Sequence, residues 1–181
     1  MKHATFYLLA PDKSLGDITI QEEFICSLVY QKWHDEDRRI VIACENKTQA
    51  IALDNALWKS LPYSFIPHNI ADEGPKHGAP VELTWSDACS NKTYDVVINL
   101  LTQCSDYILS FFEVIDFVPL AESCKQFARE RYKQYRQQGF QLHTVQLSSV
   151  FQSNGVKQVY NPFSKNNYTE ASTIYCEPII N

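Results

Sequence analysis

Short apolar runs alternate with amphipathic stretches along the first 147 residues of the chain. The runs predict buried strands, and apolar side chains that recur every three or four positions predict helices. Because strands and helices alternate, the pattern indicates an α/β protein with a mostly parallel central sheet and helices on both faces. Residues 64–67 are predicted to be extended and residues 68–80, which hold two glycines and two prolines, to form a loop. The predicted strands cover residues 4–9, 39–44, 81–85, 95–100, 114–118 and 140–147, and the predicted helices cover residues 18–33, 46–58, 106–112 and 120–138.

The longest predicted helix begins after Pro119 and ends before Gly139. Proline gives no N–H to a sheet, and glycine favours the end of a helix. At about 100° per residue, one arc of this helix is apolar and is expected to pack on the core. Arg131 falls on the same arc, so it either extends to solvent or pairs with a buried carboxylate, Asp95 or Asp116. The apolar arc comprises Leu120, Cys124, Phe127, Ala128 and Tyr135.

A second arc of the same helix is basic and is called the basic face below. Lys125, Arg129, Tyr132 and Arg136 follow one another at spacings of four, three and four, with Lys133 at the edge. Side chains at these spacings stack on one side of a helix over three turns. The arc is either a solvated face or a receptor for an acidic ligand, since cations around an aromatic ring make a poor core.

Large apolar side chains also cluster where a predicted helix ends and the next extended piece begins. They are Leu57, Trp58, Phe65, Ile66 and Pro67. One interpretation places them in the core. The other makes them an exposed patch for a protein partner, with the Trp and Phe side chains as anchors.

Composition limits the class of protein. A length of 181 residues with 45% hydrophobic residues suits one domain with a substantial core. The formal net charge of −5 argues against a protein that binds nucleic acid by itself, so the basic face is a local feature. Six scattered cysteines without a CxxC pair predict reduced thiols in a cytoplasmic protein. No segment has the length and apolarity of a membrane span, and the N-terminus suits a strand better than a signal peptide.

No motif for catalysis or nucleotide binding accompanies the α/β pattern. The connection after the first strand, LLAPDKSLGDI, contains neither GxGxxG nor the P-loop motif, and the chain has no GxSxG. The loop with His68, Asp72, Glu73 and His77 holds metal-ligand types, but its glycines and prolines favour turns, with His68 bonded to the backbone. We therefore expect no catalytic residue, cofactor or metal; the alternative is a nucleotide-dependent enzyme.

Residues 148–181 differ in character from the rest of the chain. They are rich in Asn, Ser and Tyr, almost uncharged, and without a clear period. We predict one α/β domain over residues 1–147 and a C-terminal extension over residues 148–181 that is disordered or packed along the domain surface.

Four segments make the chain resemble a known family. They are ATFYLL, IACENKTQAIALDNALW, SFIPHNIADEGPKHGAPVEL and EVIDFVPLAESCKQFARERYKQYRQQGFQL, in this order. Together they are similar to the chi subunit of bacterial DNA polymerase III, an accessory protein of the clamp loader. The resemblance implies a Rossmann-like fold without nucleotide chemistry. It also implies a subunit with no activity of its own inside a DNA-directed DNA polymerase, a nucleotidyltransferase complex.

The resemblance also implies partners. Members of the family bind the psi subunit, which ties them to the clamp loader, and the acidic C-terminal tip of single-stranded DNA-binding protein. Some pair instead with an accessory iron–sulfur helicase in DNA repair. The implied protein contacts DNA only indirectly, has no membrane role, and works at the replisome in the cytoplasm.

The family's binding residues carry over to positions of this sequence. The site for the acidic tip matches Val118, Lys125, Arg129 and Tyr132, with Thr144 nearby. We expect Lys133 and Arg136 to form the electrostatic rim of that site. The surface for psi or the helicase matches Trp58 and Phe65, with Leu57, Ile66 and Pro67 beside them.

Overall fold

The computed structural model describes residues 1–9, 18–60, 65–85 and 92–146. The strands in this part of the chain are β1 (His3–Leu8), β2 (Ile40–Ala43), β3 (His68–Ile70), β4 (Val81–Thr84), β5 (Val96–Asn99), β6 (Glu113–Val118) and β7 (Gln141–Gln146). They form one sheet in the order β3-β4-β2-β5-β6-β1-β7. Every pairing between them is parallel, which confirms the predicted sheet type.

The helices in the described residues are α1 (Ile20–Tyr30), α2 (Lys47–Ser60), α3 (Asp106–Leu109) and α4 (Glu122–Gln137). A capping box starts α1: the Glu22 N–H donates to Thr19 Oγ1 at 3.2 Å, and the Thr19 N–H donates to Glu22 Oε2 at 2.9 Å. The helix continues as a π-helical turn, Gln31–Asp35. Gly139, with φ of 78°, follows α4 in the left-handed region that glycine favours, as the sequence predicts.

The sheet separates two hydrophobic clusters. Ile40 and Ile42 of β2 belong to the cluster that includes buried residues of α1 and α2. Val41 and Ala43 belong to the cluster that includes Ile108 of α3 and buried residues of α4. Successive strand residues point to opposite faces, so a strand covered on both sides reads as one apolar run. The three-layer, Rossmann-like α/β fold is therefore confirmed.

Two predicted elements differ from the structure. The sequence predicts a loop over residues 68–80, but β3 lies at its start and pairs with β4. Three residues are too few to show a strand period, and their own sequence does not reveal the pairing with β4. The predicted helix 106–112 is only one turn, α3. It stops because the chain must enter β6, whose first residue pairs with β5.

The buried side of α4 is narrower than the sequence predicts. Ala128 and Tyr135 are buried, but Leu120 is 47% exposed, Phe127 is 37% exposed, and Cys124 is also exposed. Periodicity gives the direction of each side chain but not what covers it. For these three residues the core prediction is wrong.

Arg131 occupies the centre of the buried side of α4. Its Nη2 lies 2.7 Å from Asp116 Oδ1 of β6, and its Nε donates to Asp116 Oδ2 at 3.0 Å. The guanidinium also donates to the carbonyls of Thr102 at 2.8 Å and Phe117 at 3.0 Å. The predicted pairing with Asp116 is confirmed, whereas Asp95 accepts a hydrogen bond from a backbone N–H elsewhere.

The predicted extension over residues 148–181 lies outside the described residues. So do the residues of the first strand-to-helix connection and residue 64 of the predicted extended piece. Among the described helices, none has the length and apolarity needed to cross a membrane.

The Asp116–Arg131 pair generates a stability prediction. Arg131→Met should lower the free energy of unfolding by about 3–5 kcal/mol, because it leaves a buried carboxylate without its cation. Urea denaturation measures the change. Arg129→Met is the matched control on the same helix; its side chain is 58% exposed, and it should cost about 1 kcal/mol or less. Equal losses for the two variants would contradict the assigned role of the buried pair.

Candidate functional site

One carboxylate holds the first two cations of the basic face. Lys125 Nζ lies 2.9 Å from Glu122 Oε2, and Arg129 Nη2 lies 2.9 Å from Glu122 Oε1. Glu122 is the first residue of α4, and its side chain is 68% exposed. Hydrogen bonds from Lys125 and then from Arg129 lower the pKa of Glu122 below its ordinary value. The carboxylate is therefore ionised at neutral pH and partners both cations.

Tyr132 is positioned by packing on the sheet. Its ring centroid lies 5.3 Å from that of Phe6 in β1. Phe6 is buried, whereas Tyr132 is 37% exposed, so one part of the phenol ring contacts the core and the rest meets solvent. A ring placed in this way offers an apolar surface and a polar tip to a ligand.

Val118 and Thr144 lie on the sheet face that α4 covers. Val118 pairs with Leu8 of β1, and Thr144 pairs with Phe6. Partners in a parallel register point to the same face, which places both side chains on the side of Phe6 and Tyr132. Val118 is half-buried against the core, and Thr144 is exposed. The strand register thus places these two residues on the sheet face that α4 covers.

Lys133 and Arg136 extend the basic face toward the C-terminus of α4. Both are exposed, and within the described part of the chain neither has an ion pair. Residues at positions 129, 133 and 136 follow i, i+4 and i+7 spacing, which places them in one row. The face therefore has two cations bridged by Glu122 and two that remain open to an anion.

A buried hydrogen-bond network holds the core beneath this face. Tyr135 Oη donates to Asp116 Oδ2 at 2.9 Å, and Asn99 Nδ2 donates to the same oxygen at 3.0 Å. Burial raises the pKa of Tyr135, so the phenol remains a donor. The Tyr135 ring lies 5.7 Å from Phe6, on which Tyr132 also packs. Ring packing on Phe6 therefore connects Tyr132 to Tyr135, which is hydrogen-bonded to Asp116.

A second surface lies on the other side of the sheet, at the end of α2. Trp58 is 59% exposed and Phe65 is 64% exposed, with ring centroids 5.7 Å apart. Ile51, two turns earlier on α2, is also exposed. Large apolar groups grouped in this way are typical of a protein-binding surface. We call Trp58 and Phe65 the aromatic pair.

The other predicted members of that surface are placed differently. Leu57 and Ile66 are buried in the cluster of α1 and α2, and Pro67 is half-buried. The expectation that Leu57 and Ile66 contact a partner is therefore corrected, because a partner cannot touch buried side chains. Adjacent residues point about 100° apart on a helix and to opposite sides on an extended segment, so a buried residue can directly neighbour an exposed one.

His68 supports the aromatic pair from below. Its ring centroid lies 4.9 Å from that of Trp58. Its Nδ1 donates to the carbonyl of Ile66 at 2.7 Å, and its Nε2 lies 3.3 Å from Asp54 Oδ1. The prediction of a ring N–H bonded to backbone is thus confirmed. Asp72, with φ of 68°, lies in a turn, as the sequence indicates.

Sequence reasoning missed three contributors to these surfaces. Glu122 could have been found, because it lies three residues before Lys125 on the predicted helix. Phe6 gave no local signal, and the backbone bond predicted for His68 did not reveal its contact with Trp58. Their roles depend on strands that are brought to α4 and α2 by the fold.

Comparisons with known proteins agree on one family. The family described as DNA polymerase III chi subunit, HolC, matches residues 1–143. DNA polymerase III subunit chi of Escherichia coli (strain K12) is 46% identical over 145 residues, which is 80% of this chain and 98% of that protein. The subunit of the same name in Haemophilus influenzae is 38% identical over 143 residues, which is 79% of this chain and 96% of that protein.

A solved structure supports the fold alone. The crystal structure of T4 UvsW superposes with a TM-score of 0.53 at 12% identity. The match covers 80% of this chain but only 41% of that protein. At this level of identity, the match supports a shared α/β architecture and carries no information about activity.

The aromatic pair generates a prediction that separates folding from binding. Leu57→Ala should lower the free energy of unfolding by about 2–5 kcal/mol, because it opens a cavity in the core. Trp58→Ala removes an exposed ring and should cost about 1 kcal/mol. Thermal or urea unfolding of the two variants checks this order. A larger loss for Trp58→Ala would show that the ring is part of the folding core.

Proposed function

The chain belongs to the DNA polymerase III chi subunit family, and we propose that it is a non-catalytic adaptor within that replication assembly. It joins the psi subunit, and through psi the clamp loader, to the acidic C-terminal tip of single-stranded DNA-binding protein. The observation that carries the proposal is the pair of exposed surfaces of different chemistry. The basic face lies on α4, and the aromatic pair lies beside α2, on the other side of one sheet.

The basic face suits an acidic peptide. Arg129 and Lys125 supply charge-assisted hydrogen bonds to carboxylates, and a guanidinium can bind a carboxylate with two parallel bonds. Lys133 and Arg136 add attraction at longer range. Val118 and the exposed part of the Tyr132 ring offer an apolar surface for the final side chains of the peptide. Thr144 supplies a hydroxyl at the same place.

Such a peptide is expected to bind weakly and with a strong salt dependence. A flexible segment loses conformational entropy when it is ordered on a surface. Exposed ion pairs are also screened by salt. An affinity of this kind suits an adaptor that must release and rebind its ligand as replication advances.

The aromatic pair suits a protein partner whose contact is apolar. Two exposed rings within van der Waals distance of each other form an anchor of the kind that dominates protein interfaces. We assign this surface to psi, and to the iron–sulfur accessory helicase in a repair role. Both partners would use the same rings, so they would exclude each other.

The adaptor has no chemistry of its own in this proposal. The chain has five glycines that do not cluster, so it lacks the backbone cradle that holds phosphates in nucleotide-binding α/β proteins. The net charge of −5 disfavours direct binding to DNA. Polymerase activity therefore belongs to other subunits, and contact with DNA is indirect.

The basic face predicts the effect of removing Arg129. Arg129→Ala should weaken binding of a synthetic peptide with several aspartates and an apolar C-terminus by at least about tenfold. Psi binding should be unchanged, because the aromatic pair lies across the sheet. Arg38→Ala is the control, since Arg38 is exposed and the change in net charge is the same. Calorimetric titration that gives equal affinities for the two variants would refute this site.

The aromatic pair predicts the opposite selectivity. Trp58→Ala and Phe65→Ala should each weaken psi binding by at least about tenfold and leave peptide affinity unchanged. Surface plasmon resonance with immobilised psi and a separate peptide titration measure both effects. Loss of both activities, or of neither, would count against two independent surfaces.

A further inference from the structure

Glu122 occupies the position that an incoming carboxylate would take. Each of its oxygens accepts from one cation, Oε2 from Lys125 Nζ and Oε1 from Arg129 Nη2, both at 2.9 Å. These are the two cations that a carboxylate of an acidic peptide needs first. Lys125 and Arg129 each have a limited number of N–H donors, and each already directs one of them at Glu122.

We propose that Glu122 is a built-in competitor that an acidic peptide must displace from Lys125 and Arg129. This inference rests on the proposed function, because it concerns the same ligand at the same face. It makes Glu122 a residue that determines specificity. The contact is present within one helix and needs no other subunit.

The exchange is physically accessible. The Glu122 side chain is 68% exposed, so it can turn into solvent without opening the core. It lies in the first turn of α4, where Ala121 provides no side-chain cap. The helix N-terminus favours the negative charge of Glu122 wherever the side chain points within that turn. Displacement therefore removes two exposed ion pairs and leaves the helix intact.

The competitor favours ligands with several charges over ligands with one. A solitary carboxylate that replaces Glu122 exchanges one pair of contacts for an equivalent pair. A peptide with several carboxylates also reaches Lys133 and Arg136, which Glu122 does not partner. Its apolar end gains contact with Val118 and Tyr132 in addition. Glu122 thus sets a threshold that only a multivalent acidic peptide with an apolar end exceeds.

The state of Glu122 gives a direct readout of displacement. In the free protein its pKa is lowered by Lys125 first and by Arg129 second. When the cations turn to the peptide, the pKa of Glu122 should rise toward its ordinary value. NMR titrations that follow the chemical shift of the Glu122 carboxyl carbon measure this pKa in the free and in the peptide-bound protein. The signal belongs to Glu122 and is separate from those of the peptide carboxylates.

The decisive experiment compares Glu122→Gln with Glu130→Gln in titrations with the acidic peptide. Both variants remove one negative charge from the exposed surface of α4, but Glu130 contacts Gln126 and neither cation. Glu122→Gln should bind the peptide about threefold more tightly than Glu130→Gln at low salt. The gain in affinity from Glu122→Gln should be largest for a peptide with one carboxylate, because such a peptide no longer has to displace Glu122 from the two cations.

A second pair of variants separates the competitor hypothesis from the proposed adaptor function. With Arg129→Ala in the background, the advantage of Glu122→Gln over Glu130→Gln should shrink. In one outcome, the wild-type protein binds the peptide, Arg129→Ala weakens binding, and Glu122→Gln and Glu130→Gln bind with equal affinity. That outcome refutes the competitor role of Glu122 and leaves the adaptor function standing. If wild type and Arg129→Ala bind the peptide equally, the peptide site itself is wrong, and the competitor falls with it.

Discussion

The ion pair between Asp116 and Arg131 fixes the relation between α4 and the sheet. Both groups are buried, and Asp116 accepts from Tyr135 and Asn99 as well, so its charge is compensated by three side chains from α4 and β5. A buried charge is tolerated only when its partners are complete, and this makes the geometry specific. One side of α4 is thereby committed to the interior. The opposite side, with Lys125, is committed to solvent.

The central sheet separates two exposed surfaces of different chemistry. Helices cover both of its faces, so α4 and α2 cannot contact each other across it. The basic face and the aromatic pair are therefore separated by a rigid layer of parallel strands. In the proposed adaptor, this separation would let two partners of different chemistry bind at once. It also explains how an acidic chain can present a basic site, since the cations are concentrated on one helix.

Charge on the basic face is balanced within the chain. Glu122 neutralises part of the face in the free protein, while Lys133 and Arg136 stay open. A surface of this type attracts polyanions but gives little advantage to a single carboxylate. In the proposed competition, the displaced carboxylate lies in the first turn of the helix that carries the basic face, so one element would set both selectivity and position.

The sequence by itself determined the alternation of strands and helices apart from β3, the parallel α/β class and the row of cations on α4, and it left open whether the two rings beside α2 are core or surface. These depend on local periodicity and residue type, which a single chain shows directly. It also suggested that Arg131 pairs with a buried carboxylate, because a charge on an apolar arc needs a partner. It left two candidates, Asp95 and Asp116, because the register of distant strands cannot be inferred from spacing.

Only the tertiary structure decided what covers each side chain. Leu120, Cys124 and Phe127 have the periodicity of core residues, yet they are exposed. Leu57 and Ile66 are adjacent to the aromatic pair in sequence, yet they point into the core. Thr144 and Phe6 meet α4 only through strand pairing. Burial is a property of neighbours brought together by folding, whereas periodicity is a property of one element.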